Sequence, residues 1–252
     1  MVRIMAVWRL IGLETNNACM NMGIDEAIIE GVKSGASLPT IRFYKWSPSA
    51  VSIGRFQSMK DEVNIDACKN MGIDYVRRIT GGGAVYHDAE GELTYSIIAP
   101  ESFFPRDIKE SYALVCGWII NGLKTIGLDA QFSPINDISV NGKKISGNAQ
   151  TRRDGVLLQH GTILYKLDIS RMFSVLNVSK EKISDKMIKN VEERVTSVHS
   201  QVGSSFEELY KAVMNGIIDR KECEVGLLGG NELNMAIHFS KTYSSDAWNF
   251  SR

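Results

Sequence analysis

An acid and a lysine fall on one short hairpin in the stretch 133–150, SPINDISVNGKKISGNAQ. The dipeptide Asn-Gly within it is the strongest short-range signal for a two-residue type I′ turn, and it fixes the pairing of the flanking strands. The predicted pairs are Val140 with Lys143, Ser139 with Lys144, Ile138 with Ile145, and Asp137 with Ser146. Because side chains alternate between faces, Asp137 and Lys144 share a polar face, diagonally within reach of one another. Such a pair could hold Mg²⁺ and neutralise a phosphate, whereas a lysine that only meets solvent beside the turn is the plainer alternative.

Three consecutive glycines stand between β-rich runs in the stretch 77–88, RRITGGGAVYHD. Glycine permits φ values closed to other residues and lets a ligand approach main-chain N–H groups, which can cradle an anion. Arg78, just before the glycines, offers a forked positive charge for a phosphate or a carboxylate. The pattern is neither a Walker A loop, because no Gly-Lys-Ser/Thr follows, nor a dinucleotide fingerprint, because a strand follows rather than a helix. A flexible turn is the alternative for the glycines alone, but Arg78 on one side and His87-Asp88 on the other favour a binding loop.

Two further segments carry small or polar residues that suit a nucleotide. Ser146-Gly147-Asn148-Ala149 supplies small residues against which a flat adenine could lie, and the tetrapeptide 159–162, QHGT, places His160 beside a glycine.

The composition limits the function classes. The chain has 252 residues, and 29 Lys+Arg balance 29 Asp+Glu, so no overall field draws it to nucleic acid or to an anionic membrane. Its four cysteines show no CxxC or Cys/His spacing, which indicates reduced, packed thiols rather than a zinc site or a disulfide framework. The apolar start MVRIMAVWRLIGLE contains two arginines and no cleavage site, and no stretch reaches the length of a membrane span, so we expect a cytoplasmic protein.

Hydrophobic patterning predicts an α+β fold of mixed or antiparallel sheet flanked by helices, with strands arriving mostly as hairpins. Strands are predicted at the amino terminus and at 40–46, 50–56, 75–79, 84–87, 93–98, 138–140, 143–146 and 156–165, and helices at 16–32, 61–72, 108–126 and 205–217, with a charged helical segment beyond residue 170.

In this order and spacing, RRITGGGAVYHD, NDISVNGKKISGNAQ and QHGTIL resemble the lipoate protein ligases of the biotin/lipoate ligase and octanoyltransferase superfamily. The resemblance runs from about Trp8 to Tyr165, including NMGIDEAI and AVSIGRFQ, and is weaker beyond. It implies a single biotin/lipoate ligase-like catalytic domain over residues 1–252, without the C-terminal accessory domain that family members often carry.

The resemblance also implies roles for individual residues. Lys144 matches the family's essential lysine, which contacts the carboxylate of lipoate and the α-phosphate of ATP. Asn136 and Asp137 match the pair near the phosphate, with Asp137 a ligand of Mg²⁺, and Val85 lies beside the lipoyl tail. The implied site for ATP and the lipoyl-AMP intermediate consists of Arg78, Gly81, Gly82, Gly83, Ala84, Val85, His87, Asn136, Asp137, Lys144, Ser146, Gly147, Ala149 and His160.

The activity implied is that of an ATP-dependent lipoate protein ligase. The carboxylate of lipoate attacks the α-phosphate of ATP and releases pyrophosphate, and an acceptor lysine then attacks the mixed anhydride and releases AMP. The implied partners are lipoyl-domain acceptor proteins, namely 2-oxoacid dehydrogenase E2 subunits and the glycine cleavage H protein, together with a separate small accessory-domain subunit.

Rival activities remain within and outside this superfamily. GNAQTRRDGVLLQHGTIL also looks like the cysteine-dependent octanoyltransferases of the same fold, which pass the acyl group through a thioester. The stretch 128–143 upstream of the hairpin lysine contains no cysteine, and Cys116 falls in a predicted apolar helix where burial would keep its thiol inert. A biotin ligase would carry a GRGRxGR-like loop, and a protein that only binds lipoate or its adenylate could dispense with Lys144. The sequence therefore predicts the ATP-dependent ligase, with the octanoyl or lipoyl transferase and the non-catalytic binding protein as alternatives.

Overall fold

The computed structural model describes residues 6–177 and 185–252. Residues 1–5 of the predicted first strand and 178–184 of the predicted charged segment lie outside the described residues. The strands are β1 (Trp8–Asn16), β2 (Thr40–Trp46), β3 (Ala50–Ile53), β4 (Asp74–Arg77), β5 (Val85–His87), β6 (Glu92–Pro100), β7 (Ala130–Ser133), β8 (Asp137–Val140), β9 (Lys143–Arg153), β10 (Val156–Leu164) and β11 (Cys223–Val225). The helices are α1 (Ala18–Ser34), α2 (Met59–Glu62), α3 (Ile65–Met71), α4 (Ile108–Lys124), α5 (Ile169–Val175), α6 (Asp185–Arg194), α7 (Val198–Val202), α8 (Phe206–Ile218), α9 (Gly230–Tyr243) and α10 (Asp246–Asn249).

The strands form two sheets of mixed direction. The larger has the order β11-β1-β2-β6-β10-β9-β8-β7, and the smaller has the order β4-β3-β5. Parallel pairing joins β1 to β2 and β3 to β4, while β2, β6, β10, β9, β8 and β7 pair antiparallel in turn. The predicted α+β fold of mixed sheets flanked by helices is confirmed.

Helix α1 covers one face of the larger sheet and begins and ends on strong local signals. The side chain of Asn17 accepts a hydrogen bond from the amide of Met20, and Gly35 ends the helix in the left-handed conformation. The helix packs closely on α9, because a Cβ at Gly23 would lie 2.5 Å from the carbonyl oxygen of Ala236. A buried ion pair between Arg9 of β1 and Glu232 of α9, 2.6 Å apart, ties α9 to the sheet as well.

Helices α4 and α8 cover the opposite face. Apolar residues at helical spacing on α4, among them Val115, Ile119 and Leu123, are buried against strand residues in the main hydrophobic core. The predicted helices 108–126 and 205–217 match α4 and α8 to within two residues.

Successive strands form hairpins less often than the sequence predicts. Strands β2 and β3, on either side of Ser47-Pro48-Ser49, belong to different sheets, and so do β5 and β6 on either side of Gly91. Strands β4 and β5 are joined by the loop that contains Gly81, Gly82 and Gly83, called the glycine loop below. Both strands pair with β3 and not with each other. Turn residues show where the chain reverses, but the partner of each strand depends on which apolar face it can bury, and here the chain crosses between the two sheets at two of these three turns.

Strands β8 and β9 and the Asn-Gly turn between them form the lysine hairpin, which carries Lys144. It has the predicted register only next to its turn. Val140 pairs with Lys143 and Ser139 with Lys144, as the Asn-Gly turn predicts. A bulge then places Ile138 opposite Ser146 and Asp137 opposite Gly147, so the predicted pairs of Ile138 with Ile145 and Asp137 with Ser146 are wrong. The extra residue is Ile145, which is fully buried in the main core. Burial of this apolar side chain accounts for the shift.

Across the described ranges, no helix is both long enough and apolar enough to cross a membrane. All four cysteines lie within these ranges and are free thiols, two buried and two partly buried.

Candidate active site

The glycine loop and the lysine hairpin border one cavity of about 350 Å³. Gly82 and Gly83 from the loop between β4 and β5 line it, and so does Lys144 near the start of β9. The cavity lies where the smaller sheet faces the strands β6, β9 and β10 of the larger one. Two segments distant in sequence therefore meet at one site.

Most of the residues predicted for the site line this cavity, and three do not. Those that line it are Arg78, Gly82, Gly83, Ala84, Val85, His87, Asn136, Lys144, Gly147, Ala149 and His160. Gly81, Asp137 and Ser146 lie outside the lining. Ser146 is fully buried, on the core side of the β-bulge, where its hydroxyl has no hydrogen-bond partner among the described residues. Asp137 acts on the cavity only through Lys144, and the carbonyl of Gly81 is held by Arg78.

Lys144 forms an ion pair with Asp137, with 2.7 Å between Nζ and Oδ1. The lysine side chain is 43% exposed and lines the cavity, so its ammonium lies at the boundary between the cavity and solvent. Asp137 fixes its position. The described residues contain no group of three or more His, Cys, Asp or Glu side chains that could hold a metal ion, so the predicted Mg²⁺ ligand Asp137 is not part of such a group.

Arg78 shapes the glycine loop from inside. Its guanidinium is buried and donates to the carbonyls of Gly81 and Gly83 at 2.9 and 2.8 Å, to Thr80 Oγ1 at 3.1 Å, and to the carbonyl and hydroxyl of Ser52. With both carbonyls turned onto Arg78, the amides of the three glycines donate to no acceptor within the described part of the chain. They are therefore available to a ligand.

Burial lowers the pKa of the Arg78 guanidinium to about 10. No carboxylate forms an ion pair with it in the described ranges. It stays cationic at neutral pH. A buried positive charge without a carboxylate favours an anion, or a developing oxyanion, in the adjoining cavity.

Gly54 and Gly82 allow the loop to lie this close. A Cβ at Gly54 would lie 2.0 Å from the carbonyl oxygen of Gly82, and Gly82 itself has a φ of 103°. Both glycines are required by backbone packing.

His87 is held between a hydroxyl and a carboxylate. Its Nε2 lies 2.8 Å from Ser52 Oγ, and its Nδ1 lies 2.7 Å from Glu92 Oε1. The imidazole stacks on the indole of Trp46 with the ring centroids 4.0 Å apart. Trp46 donates to Thr94 Oγ1, and Thr94 in turn donates to Glu92 Oε1. Stacking and hydrogen bonds together fix the orientation of the histidine.

His160 lies in a second, similar arrangement. Its Nε2 lies 2.7 Å from Thr80 Oγ1, and its Nδ1 lies 3.6 Å from Asp25 Oδ2. Burial lowers the pKa of His160 more than Asp25 raises it, so the imidazole is neutral at neutral pH. Burial alone would raise the pKa of Asp25, but His160, Arg42 and Ser96 outweigh that effect, and the carboxylate remains charged beside Arg42.

Sequence reasoning missed the acids and hydroxyls that hold the two histidines, and most of the cavity's apolar wall. Ser52 stands in the AVSIGRFQ stretch and Glu92 directly before a predicted strand, but no local pattern pairs either with His87. The apolar wall includes Leu164, Leu167, Ile169, Met172, Leu176, Val191 and Val195. These come from the end of β10, α5, α6 and the segments beside them, which is why spacing along the chain does not reveal them.

No cysteine lines the cavity. Cys116 lies behind it, with Sγ 3.5 Å from Nδ2 of the cavity residue Asn148, and burial raises the pKa of its thiol to about 12. It is therefore a protonated core thiol.

A mixed α+β sheet that presents a glycine loop and a lysine to one apolar cavity defines an enzyme of the biotin/lipoate ligase and octanoyltransferase fold. The chain belongs to the family described as the lipoyl protein ligase A/B catalytic domain, whose model matches residues 17–218.

The comparisons with individual proteins cover nearly the whole chain. It is 35% identical to the octanoyltransferase LipM of Brevibacillus brevis, over 98% of this chain and all of the relative, and 33% identical to the octanoyltransferase LipM of Clostridioides difficile, over 97% and 99%. Among solved structures it resembles the bi-partite lipoate protein ligase of Thermoplasma acidophilum, with a TM-score of 0.87 and 34% identity over 98% of this chain and 96% of that one.

These relatives correct the predicted activity. The ATP-dependent lipoate protein ligase predicted from the motifs is wrong, because curated relatives that match over their full length are octanoyltransferases. The glycine loop and the lysine hairpin do not separate the two reactions. The sequence favoured a ligase because no cysteine lies directly upstream of Lys144. The absence of that cysteine excludes a thioester intermediate at this position, but it does not exclude acyl transfer itself.

Proposed function

We propose that this enzyme transfers an octanoyl group from a thioester donor to a lysine of a lipoyl domain. The observation that carries the proposal is the single cavity in which an apolar wall, the glycine loop and Lys144 meet. The names of the LipM relatives support octanoyl as the acyl group.

The cavity suits a medium-length acyl chain. Aliphatic side chains such as Leu164, Met172 and Val191 supply an apolar wall, and a volume of about 350 Å³ is at the lower end of the range for small-molecule sites. Burying each CH₂ of the chain contributes about 0.8 kcal/mol, so the tail gives most of the binding energy and the polar residues fix the carbonyl.

The polar side of the cavity suits the reacting carbonyl. When an amine or an alcohol attacks a thioester, negative charge develops on the carbonyl oxygen, and prearranged donors stabilise it. The ammonium of Lys144 and the unpaired amides of the glycine loop are such donors, and Asp137 keeps Lys144 in place.

A thioester is already activated, so the proposed reaction needs neither ATP nor Mg²⁺. The family description, lipoyl protein ligase A/B catalytic domain, and the Thermoplasma acidophilum ligase with its E2 lipoyl domain support a lipoyl domain as the acceptor. The bi-partite form of the Thermoplasma acidophilum protein supports a separate small subunit as a further partner, as the sequence resemblance also implies.

The proposal is tested by incubating the purified chain with octanoyl-acyl carrier protein and an isolated lipoyl domain, without nucleotide. We expect the intact mass of the lipoyl domain to increase by one octanoyl group. A lipoyl domain whose acceptor lysine is replaced by arginine is the matched control and should keep its mass. Tight binding of the octanoyl donor without any mass change, with and without the candidate small subunit, would show a binding protein and contradict the proposal.

A further inference from the structure

Octanoyl transfer through a covalent intermediate needs a nucleophile in the cavity, and the cysteines do not provide one. All four lie in the described ranges and none lines the cavity. For three of them, Cys19, Cys68 and Cys116, burial raises the pKa of the thiol to about 11, 11 and 12. A hydroxyl beside a base is the other common solution.

Ser52 is such a hydroxyl. It lies on β3, lines the cavity, and is only 2% exposed to bulk solvent. Its Oγ is 2.8 Å from Nε2 of His87, and Nδ1 of the same imidazole is 2.7 Å from Oε1 of Glu92. The order of hydroxyl, imidazole and carboxylate, with both distances in hydrogen-bond range, is that of a serine-histidine-acid triad.

The hydrogen-bond network assigns the protons. Glu92 is a buried carboxylate that also accepts from Thr94, so Nδ1 of His87 carries a proton and donates it to Glu92. Nε2 is then free to accept the hydroxyl proton of Ser52. Glu92 has no cationic partner other than His87 among the described residues, so it stabilises the imidazolium that forms when His87 takes up that proton.

Arg78 completes the arrangement. Its Nη1 donates a hydrogen bond to Ser52 Oγ, with 3.1 Å between the two atoms. Its Nη2 donates to the carbonyls of Gly81 and Gly83. A fixed positive charge at the hydroxyl stabilises the developing alkoxide, and the glycine amides lie in the same loop. A histidine with a purely structural role does not need a hydroxyl that lines the cavity. It also does not need a neighbouring guanidinium that lacks a carboxylate partner.

We propose that Ser52 carries the octanoyl group as an ester during transfer, with His87 as general base and acid and Glu92 as its positioning residue. The inference depends on the proposed octanoyl transfer. Ser52 Oγ attacks the thioester carbonyl and gives its proton to His87 Nε2, the C–O bond forms as the C–S bond breaks, and the departing thiolate takes that proton. The neutral amine of the acceptor lysine then attacks the ester, its proton passes through His87 to Ser52 Oγ, and an amide replaces the ester.

The geometry also protects the intermediate. Ser52 and His87 are both buried, under the stacked ring of Trp46 and the glycine loop, so bulk water has little access to the ester. The acceptor lysine must enter through the cavity itself, whose solvent side carries Lys144.

The test uses S-octanoyl-pantetheine with the full chain and no acceptor. After an acid quench, peptide mapping should find one octanoyl group on Ser52, and neutral hydroxylamine, which cleaves thioesters, should leave it in place. Ser52→Ala should carry no octanoyl group and should transfer about 10²-fold more slowly or worse. Ser52→Cys should carry the group as a thioester that hydroxylamine removes. Ser174→Ala, at a partly buried serine on α5 outside the cavity lining, is the matched control and should behave as the unmodified chain.

The outcomes separate this inference from the proposed function. If the unmodified chain transfers octanoyl to the lipoyl domain but carries no ester on Ser52, and folded Ser52→Cys forms no hydroxylamine-labile adduct, the serine intermediate is overturned and the transferase stands. An octanoyl group on any other residue overturns it as well. If neither transfer nor an adduct occurs, both fail. Because Ser52→Cys changes one atom, it still decides the question if Ser52→Ala does not fold.

Discussion

At the scale of the residue, Lys144 and Lys143 are neighbours with different surroundings. Lys144 pairs with Asp137 at the cavity, whereas Nζ of Lys143 donates to the main-chain carbonyl of Glu192 at 2.7 Å and lies outside the cavity lining. Lys143 is therefore a matched control for substitutions of Lys144.

We expect Lys144→Ala to lower the octanoyl transfer rate about 10²-fold or more, because it removes a charged donor from the reacting carbonyl. Its free energy of unfolding should change by about 1 kcal/mol or less, since a partly exposed ion pair contributes little to stability. Transfer assays and urea unfolding of Lys144→Ala and Lys143→Ala measure both effects. Equal transfer rates for the two variants would remove Lys144 from the chemistry.

The four thiols should be dispensable. Burial raises the pKa of Cys116 to about 12, so little thiolate is present at neutral pH and access is blocked. We expect iodoacetamide at neutral pH to leave Cys116 unmodified in the folded chain, and Cys116→Ala to keep its transfer activity. Inactivation by iodoacetamide that octanoyl donor prevents would instead indicate a cysteine intermediate.

His160 should make the chain less stable in mild acid. Its pKa is lowered in the folded state by burial, while in the unfolded chain it titrates near the ordinary value of 6.5. As the pH falls below that value the unfolded state binds a proton that the folded state does not, so the free energy of unfolding decreases by up to about 1.4 kcal/mol per pH unit.

Urea unfolding at about pH 7 and about pH 5.5 tests this pH dependence. The loss of stability between the two should be smaller in His160→Gln, which cannot take up the proton in either state. An equal loss in both proteins would assign the acid sensitivity to other groups.

At the scale of the element, the glycine loop shows which of its residues the backbone requires. Gly82 has a φ of 103°, and a Cβ there would lie 2.8 Å from Nη2 of Arg78, whereas a Cβ at Gly81 would meet nothing within 4 Å. The sequence shows three equivalent glycines, and the fold makes them different.

Gly82→Ala should therefore be destabilised by about 1–3 kcal/mol and should lose most of its transfer activity, because the loop must leave its left-handed conformation and release Arg78. Gly81→Ala should keep its stability and transfer octanoyl at nearly the normal rate. Thermal unfolding and transfer rates of the pair check this. Similar damage from both substitutions would mean that flexibility of the loop, and not its shape, is what matters.

The lysine hairpin marks how far local rules reach. The Asn-Gly turn predicts the two residue pairs beside it, because turn geometry alone determines them. The bulge at Ile145 could not be predicted, since it depends on burying that side chain in a core built from distant strands. The juxtaposition of Asp137 and Lys144 survives because both remain on the side facing the cavity mouth.

At the scale of the whole molecule, the alternation of short strands and amphipathic helices along the sequence predicts the fold class. The same pattern does not predict which strands pair in each of the two sheets. Residues of the proposed triad come from β3 and β5 of the smaller sheet and from β6 of the larger one, so their meeting at His87 is a property of the tertiary structure. The motifs around Arg78 and Lys144 indicate the superfamily and the site. They do not indicate the acyl donor, because a cationic side chain and main-chain amides can stabilise negative charge on a phosphate as well as on a thioester carbonyl.

The most direct measurement compares two reactions of the same preparation with one lipoyl domain. One mixture contains octanoyl-acyl carrier protein and a chelator without nucleotide, and the other contains free octanoate or lipoate with ATP and Mg²⁺. We predict that the lipoyl domain gains an octanoyl group in the first mixture and that the second releases no pyrophosphate. Modification and pyrophosphate release in the second mixture alone would contradict this prediction.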